Sequence, residues 1–307
     1  MIQAVLRENY KETVMVMDNY VLITDSTSDL PQKLADEIDV VVLPMQFDLD
    51  GLTYRHFADE REMNSEEFYD AMRSGKIAKT SQISVHEFCE HFASYLEKGQ
   101  DILYLSFSSG LSGTYGSSII AIDELEQKYP ERKILSVDTL AASMGEGLLV
   151  YYAAKMKKAG MGLEELAKWV VDYRLHLCHW FTVNDLHHLK RGGRVSAATA
   201  IVGSALNIKP VLHVDNEGHL INISKERGRK ASLNALLDRM SDTYYTEGWD
   251  TVMIGHGSCR DDADYVASEI KKRFKGIKNV IIGNIGPVIG AHAGPGVLAL
   301  FFMGETR

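Results

Sequence analysis

The residues best suited to chemistry lie in a loop rich in serine and glycine, residues 108–115, which reads S-S-G-L-S-G-T-Y. The loop follows a run of apolar residues that is predicted to form a buried strand, and it precedes a predicted helix. Glycines let a ligand approach the backbone, free N–H groups at a helix start point outward, and hydroxyls add donors, so the loop suits a phosphate or carboxylate. Helix capping by the same side chains is the alternative. No lysine follows the glycines, which excludes a Walker A site, and Ser112 lacks the second glycine of a nucleophile elbow.

A second hydroxyl cluster, Lys79-Thr80-Ser81-Gln82, stands just before a predicted helix. Ser84 opens that helix, and Glu87 three residues later completes the pattern of a capping box. We therefore expect Thr80 to lie beside a free helix N-terminus. Capping alone would also account for these side chains, so their interest is that they form a second hydroxyl cluster in the same βα pattern.

Two glycine-rich segments farther along the chain carry the remaining candidates. In residues 189–196, Arg191 and Arg194 flank paired glycines ahead of a predicted helix and concentrate positive charge; a solvated helix end is the alternative. Residues 285–296 form a predicted apolar loop, punctuated by glycine, with the single histidine His292. Such a loop is expected to line a cavity. The competing interpretation is that His292 is a core residue whose hydrogen bonds are made within the protein.

Alternating strands and helices must position these segments. Asn64 with Glu67, like Ser84 with Glu87, marks a helix start. The alternation predicts a parallel, doubly wound sheet. The predicted strands lie at 20–24, 40–47, 102–107 and 133–137. One predicted helix ends near residue 128, and the next spans about 142–158. Gly160-Met161-Gly162 ends the last of these helices and is the predicted linker.

Beyond the linker the pattern becomes that of an α+β domain. Residues 215–218, D-N-E-G, join two strands in a predicted hairpin. We expect strands at 178–183, 209–214, 219–225, 250–256, 279–285 and 297–302, with helices at 163–175, 229–246 and 261–274. The prediction is therefore an N-terminal extension (1–19), a parallel α/β/α domain (20–162) and an α+β domain with a mixed or mostly antiparallel sheet (163–307).

Composition and charge exclude several classes of protein. The 33 basic and 42 acidic residues leave a net charge of −9, so no global basic field favours nucleic acid. The longest apolar run, residues 297–303, is far shorter than the roughly 20 residues of a membrane span. Cys89, Cys178 and Cys259 form no C-x-x-C pair, which fits a reducing cytoplasm. His86 and His91 lie too far apart around a helix to share an ion, so no metal site is predicted.

Six motifs, taken in order, resemble the DegV family from about Tyr20 to Met303. Each motif alone is weak, but six in series are specific. They are T-D-S-T-S-D-L at 24–30, T-S-Q at 80–82, S-S-G-L-S-G-T-Y at 108–115, D-T at 138–139, G-G-R at 192–194 and I-G-P-V-I-G-A-H-A-G-P-G at 285–296. Two features depart from the family: Ile83 replaces the proline that often follows T-S-Q, and residues 1–19 have no counterpart.

The resemblance implies a long-chain fatty acid, such as palmitate, bound between two domains of a DegV-like α/β fold. It assigns the acyl carboxylate to the hydroxyls of Thr80 and Ser112, and it implies no catalytic residue and no cofactor. It also implies that a separate kinase subunit phosphorylates the bound acid in some members, and transient membrane contact is compatible with such a ligand. The surrounding polar network would comprise Gly113, Thr114, Arg194 and His292.

A protein that binds a phosphorylated sugar, as an enzyme or a sensor, is the alternative function. The loop at residues 108–114 resembles loops that hold phosphomonoesters. However, no carboxylate or lysine stands at a readable spacing to act as a base. The fatty-acid interpretation is therefore preferred.

Overall fold

The computed structural model describes residues 19–195, 207–245 and 248–307. The predicted N-terminal extension lies outside the described residues apart from Asn19, and so does the helix predicted to follow Arg194. The strands in the described ranges are β1 (Tyr20–Asp25), β2 (Val41–Leu43), β3 (Met45–Leu49), β4 (Leu52–His56), β5 (Ala78–Ser81), β6 (Asp101–Ser106), β7 (Ile134–Asp138), β8 (Leu177–Thr182), β9 (Ile208–Val214), β10 (Leu220–Arg227), β11 (Thr251–His256), β12 (Asn279–Asn284) and β13 (Leu298–Met303).

The helices that the sequence predicted begin and end close to the expected positions. Asn64 and Ser84 cap their helices as expected, each accepting the backbone N–H three residues on, and Ser84 forms a complete capping box with Glu87. The described helices are α1 (Gln32–Glu37), α2 (Ser65–Arg73), α3 (Val85–Leu96), α4 (Thr114–Lys128), α5 (Ser143–Lys158), α6 (Leu163–Tyr173), α7 (His187–Arg191), α8 (Arg229–Thr243), α9 (Arg260–Arg273) and α10 (Pro287–Ala293).

The two main sheets have the predicted character. One is a parallel sheet in the order β2-β1-β6-β7, and every residue of β1 is buried, as expected for a strand covered on both faces. The other has six strands in the order β10-β9-β8-β13-β11-β12, antiparallel except for the pair β11–β12. The predicted hairpin at residues 215–218 joins β9 to β10. The α/β fold class with one parallel and one mostly antiparallel sheet is confirmed.

The single strand predicted over residues 40–47 is wrong. The run divides at Pro44, which has no N–H to donate to a ladder, and its two halves enter different sheets. Its second half, β3, is the middle strand of a three-stranded antiparallel sheet with β4 and β5. Asp50 and Gly51 connect β3 to β4 with φ of 57° and 84°. This Asp-Gly pair is the signal of a type I′ hairpin that the sequence interpretation did not use.

Helix α5 joins the two main sheets into one core. Almost its whole circumference is buried, and it packs against β8, β11 and β13 of the six-stranded sheet. The same hydrophobic cluster contains Leu22 and Leu105 from the parallel sheet, Leu148 from α5, and Phe301 from β13. Burial on all sides explains why α5 is not amphipathic. The domain boundary at residue 162 stays a prediction.

Candidate ligand site between the two sheets

A cavity lies between the parallel and six-stranded sheets. It contains about 1000 Å³ of empty space, including its opening to solvent. Most of its wall is apolar. The apolar side chains are Met45, Phe107, Leu111, Ala142, Phe181, Leu189, Val214, Leu220, Ile285, Val288, Ile289, Ala293, Val297, Ala299 and Phe301.

Most of the predicted site residues line this cavity. Four polar side chains from separate segments contribute to its wall, and we call them the polar end: Thr80, Ser112, Arg194 and His292. Gly113 also lines the cavity, whereas Thr114 is buried behind Ser112. The structure therefore brings together the two hydroxyls that the DegV resemblance assigns to the carboxylate and the residues that it assigns to the surrounding polar network.

Thr80 reaches the polar end from a strand and not from a helix start. It lies on β5, paired with Phe47, and Ser84 begins the next helix only after the strand has ended. The prediction that Thr80 stands at a helix N-terminus is therefore wrong. Ile83, where the family often has proline, is buried in the core beside α3.

His292 lies behind Thr80, on a helix that the sequence interpretation took for a loop. Pro287 starts α10, because its fixed φ suits the first helical position. The Nε2 atom of His292 is 2.9 Å from Thr80 Oγ1. Burial, together with the positive charge of Arg194 and Arg191, lowers the pKa of His292 to about 4. The ring is therefore neutral at pH 7, and with its proton on Nε2 it donates to Thr80 and leaves the threonine hydrogen free.

Ser112 has a similar arrangement at the start of α4, where the sequence predicted a helix N-terminus. Its Oγ accepts the backbone N–H of Thr114 at 3.2 Å and is 2.9 Å from Thr114 Oγ1. When Thr114 donates its hydroxyl hydrogen to Ser112, the serine hydrogen is free to enter the cavity. Gly113 caps α4 without a side chain, and a Cβ at that position would clash with Gln82.

Arg194 brings a positive charge to the polar end in a fixed position. Its Nε donates to the Leu111 carbonyl at 3.1 Å, and its Nη1 donates to the Gly192 carbonyl. A Cβ at Gly192 would clash with Nδ1 of His292, so the paired glycines let this segment approach the histidine. Arg191 is exposed, with Nη2 2.9 Å from His188 Nδ1.

The other polar groups of the serine–glycine loop hold the loop in place. Ser108 is fully buried and donates its hydroxyl to the Gly218 carbonyl at 2.9 Å. The backbone N–H of Ser109 donates to Asp138 at 3.2 Å. A phosphate in this loop would have to displace these bonds beside the Asp138 carboxylate. The geometry therefore disfavours the phosphosugar alternative.

A second polar feature, the acidic cluster of Asp25, Asp29 and Glu146, was missed as a unit. Asp25 accepts the hydroxyl of Tyr104 at 2.6 Å and the backbone N–H of Phe107 at 3.3 Å. The T-D-S-T-S-D-L motif at 24–30 supplies Asp25 and Asp29, but the sequence does not indicate their partners. In the structure they join distant segments.

Asp29 and Glu146 complete this cluster beside the cavity wall. Asp29 accepts the Ser143 hydroxyl at 2.5 Å and the Gly286 N–H at 2.9 Å. Glu146 lies 2.9 Å from the hydroxyls of both Thr24 and Thr27, and no N–H group or cation in the described ranges bonds to it. Burial raises the pKa of Glu146 well above its ordinary value, and the nearby Asp25 raises it further.

Four further polar residues line the cavity without having been predicted as site residues: Ser81, Gln82, Ser143 and His179. Within residues 19–195, 207–245 and 248–307, no group of three or more His, Cys, Asp or Glu side chains is arranged to hold a metal ion. No helix in these ranges is long and apolar enough to cross a membrane. All three cysteines are free thiols.

The fold and cavity define a class: an α/β protein in which a parallel and a mostly antiparallel sheet enclose an apolar cavity with a polar end. The chain belongs to the DegV family. The family model described as "Uncharacterised protein, DegV family COG1307" matches residues 19–305, which confirms the resemblance drawn from the six motifs.

Individual relatives agree with this assignment. A DegV domain-containing protein of Clostridium perfringens is 44% identical over 291 residues, covering 95% of this chain and 99% of its own length. A DegV family protein from Thermus thermophilus, whose structure is described as fatty-acid binding, superposes with a TM-score of 0.82 at 31% identity, covering 93% of this chain and 99% of that one. A DegV family structure from Ruminococcus gnavus with vaccenic acid has a TM-score of 0.81 at 25% identity, covering 92% and 99%.

Proposed function

We propose that this protein binds one long-chain fatty acid, such as palmitate, in the cavity between its sheets. One observation carries the proposal: polar residues from four separate segments meet in the wall of a cavity that is otherwise mostly apolar. That arrangement matches an amphipathic ligand with a single charged group. The fatty-acid binding described for the Thermus thermophilus relative and the vaccenic acid in the Ruminococcus gnavus structure support it.

In this proposal the polar end holds the carboxylate. An unpaired charge in an apolar cleft is costly, so the carboxylate needs several donors. Thr80 and Ser112 are the proposed direct donors, because each hydroxyl has a second group behind it that can leave its hydrogen free. Arg194 supplies a compensating charge, and Gly113, Thr114 and His292 support the two hydroxyls.

The apolar wall accounts for affinity. At about 0.8 kcal/mol for each buried methylene, roughly fourteen methylenes give a gross gain of about 11 kcal/mol. The loss of ligand freedom and the desolvation of the carboxylate reduce this gain. The remainder suffices for tight binding, with the carboxylate contacts selecting an acid over an alcohol or ester.

We further infer that the chain is not itself an enzyme and that it presents the acid to a separate kinase in the cytoplasm. The head group of the acid would lie beside Arg194, and Arg191 is exposed nearby. Arginine can neutralise a carboxylate or bind an incoming phosphate through two hydrogen bonds. Positive charge on a chain of net charge −9 also suits an acidic docking surface.

Extraction of the natively purified protein tests the central proposal. Protein made in a bacterial host should release a long-chain fatty acid that mass spectrometry identifies in near-stoichiometric amount. The delipidated protein should bind added palmitate or oleate, and the Thr80→Ala Ser112→Ala variant should bind less of either. Protein that is consistently free of acid and also fails to bind both added acids would refute the proposal.

A further inference from the structure

His179 is a polar side chain in the apolar part of the cavity wall. It lies on β8 opposite Phe301 of β13, is only 1% exposed, and contributes to the wall. Within the described residues neither ring nitrogen has a hydrogen-bond partner. A weak polar contact with the Leu177 backbone raises the pKa of the ring, but it does not meet the distance and angle of a hydrogen bond. A buried imidazole without partners is rare in folded proteins and calls for a ligand or a structural reason.

Packing holds this ring in one place. Phe301 packs edge-to-face against it, with ring centroids 5.5 Å apart and planes at 88°. A Cβ at Gly145 would clash with both the imidazole and Phe301, so the backbone of α5 closely approaches the two rings where they meet. Burial lowers the pKa of His179 well below its ordinary value, and the charge of Arg307 lowers it further. The ring is therefore a fixed, neutral group that offers one donor and one acceptor.

The position of His179 assigns it to the hydrocarbon chain of a ligand and not to its carboxylate. Strand β13 runs away from the segment that carries His292, and Val297 and Phe301 both line the cavity. Four residues of strand correspond to about 13 Å. On β8, likewise, His179 is farther than Phe181 from the segment that leads to Arg194. A carboxylate at the polar end would place the distal half of its chain beside His179.

We propose that the cavity selects a fatty acid that carries a hydroxyl group on the distal half of its chain, and that His179 binds that hydroxyl. This inference rests on the proposed function and specifies its substrate class. A hydroxyl can donate and accept, so it pairs with either tautomer of the ring, whereas a saturated chain pairs with neither. A site with a buried polar group discriminates strongly against a ligand that leaves the group unpaired.

Competition between matched ligands tests the inference. Delipidated protein is titrated with stearate and with a series of hydroxystearates that differ in the position of the hydroxyl. At the best position we expect wild type to prefer the hydroxy acid by roughly tenfold, the value of one added hydrogen bond. His179→Leu should remove or reverse this preference, and His179→Asn, which keeps a donor and an acceptor, should retain part of it.

Controls separate this inference from the proposed function. Ser112→Ala should weaken binding of stearate and hydroxystearate equally, because it acts on the shared carboxylate. If wild type binds stearate as well as every hydroxy isomer, the inference is wrong, even though fatty-acid binding stands. If no acid binds, the proposed function itself fails. If the His179→Leu variant does not fold, the titrations of wild type with the hydroxystearates and those of His179→Asn still test the inference.

Discussion

The polar end and the acidic cluster are two groups of polar side chains between the sheets, and they differ in accessibility. Hydroxyl groups take part in both, since Thr80 and Ser112 belong to the polar end and Thr24, Thr27 and Ser143 bond to the acidic cluster. Asp25 and Glu146 are fully buried, and the acidic cluster directs its hydrogen bonds to the protein itself. At the polar end, Thr80 and Ser112 are only partly buried, and both reach the cavity. A binding site differs from a structural network in that some of its hydrogen-bonding groups are left free for a ligand.

The two regions are nevertheless connected through the cavity wall. Asp25 binds the backbone of Phe107, and Asp29 binds Ser143, and both of these partners line the cavity. Asp29 also binds the N–H of Gly286, directly before the helix that carries His292. The acidic cluster thus fixes the elements that the polar end requires. Substitutions in the acidic cluster should therefore change the stability of the fold, whereas substitutions at the polar end should weaken ligand binding.

The largest expected effect is the loss of stability in Asp25→Ala. The substitution leaves the Tyr104 hydroxyl and the N–H groups of Thr27 and Phe107 without their acceptor. Removing the acceptor of a buried network of this kind should lower the free energy of unfolding by roughly 3–5 kcal/mol. Urea denaturation measures the change. Asp123→Ala, on the exposed face of α4, is the matched control and should change stability by less than about 0.5 kcal/mol.

The next largest effect concerns pH. The free energy of unfolding of the wild type should depend on pH through Asp29, and Asp29→Asn should remove that contribution. Burial raises the pKa of Asp29 to about 8 from an unperturbed value of 3.8, although the hydrogen bonds from Ser143 and Gly286 lower it. The stability from this raised pKa is fully present below the unfolded pKa and is lost as pH rises toward 8. Wild type should therefore lose stability relative to the variant between pH 5 and 8, by up to roughly 1.4 kcal/mol per pH unit.

Urea titrations of both proteins at several pH values measure this difference. His56, whose pKa burial lowers to about 4, is present in both proteins and contributes in the opposite direction, so comparison with the variant cancels it. A difference in unfolding free energy that stays constant from pH 5 to 8 would show that Asp29 does not titrate in this interval.

A smaller effect is expected for single hydroxyl deletions at the polar end. Thr80→Ala and Ser112→Ala should each weaken fatty-acid binding by roughly 1–3 kcal/mol, the value of a hydrogen bond to a charged group, with little change in stability. His292→Ala should have a similar or smaller effect. Isothermal titration of delipidated protein measures the affinity, and Ser109→Ala, an exposed serine of the same loop, is the control. Unchanged affinity in the Thr80→Ala Ser112→Ala variant would place the carboxylate elsewhere.

The last prediction concerns Arg194→Ala, which separates fatty-acid binding from presentation of the acid to a kinase. In a reconstituted assay with a cognate kinase and ATP, this variant should reduce acyl-phosphate formation by a larger factor than it reduces fatty-acid affinity. The reason is that the guanidinium would contact the incoming phosphate as well as the acid. Equal losses would assign Arg194 to ligand binding alone, and unchanged turnover would remove it from the mechanism.

The sequence by itself determined the features that depend on neighbouring residues. Helix caps at Asn64 and Ser84, the hairpin at residues 215–218 and the alternation of strands and helices all follow from interactions within a few positions. The resemblance of six motifs, in order, to the DegV family also indicated the residues that meet at the polar end. Local propensity and motif order are properties of the chain that do not depend on how its parts pack.

Only the tertiary structure decided which distant groups meet. Thr80 and His292 are 212 positions apart, and Thr24 and Glu146 are 122 apart. Nothing in the sequence near Glu146 or His179 indicates that one is satisfied by buried threonines while the other faces the cavity without a partner. The physical reason is that these pairings depend on how the sheets and helices pack as a whole, which depends on burial over the entire chain and not on local pattern.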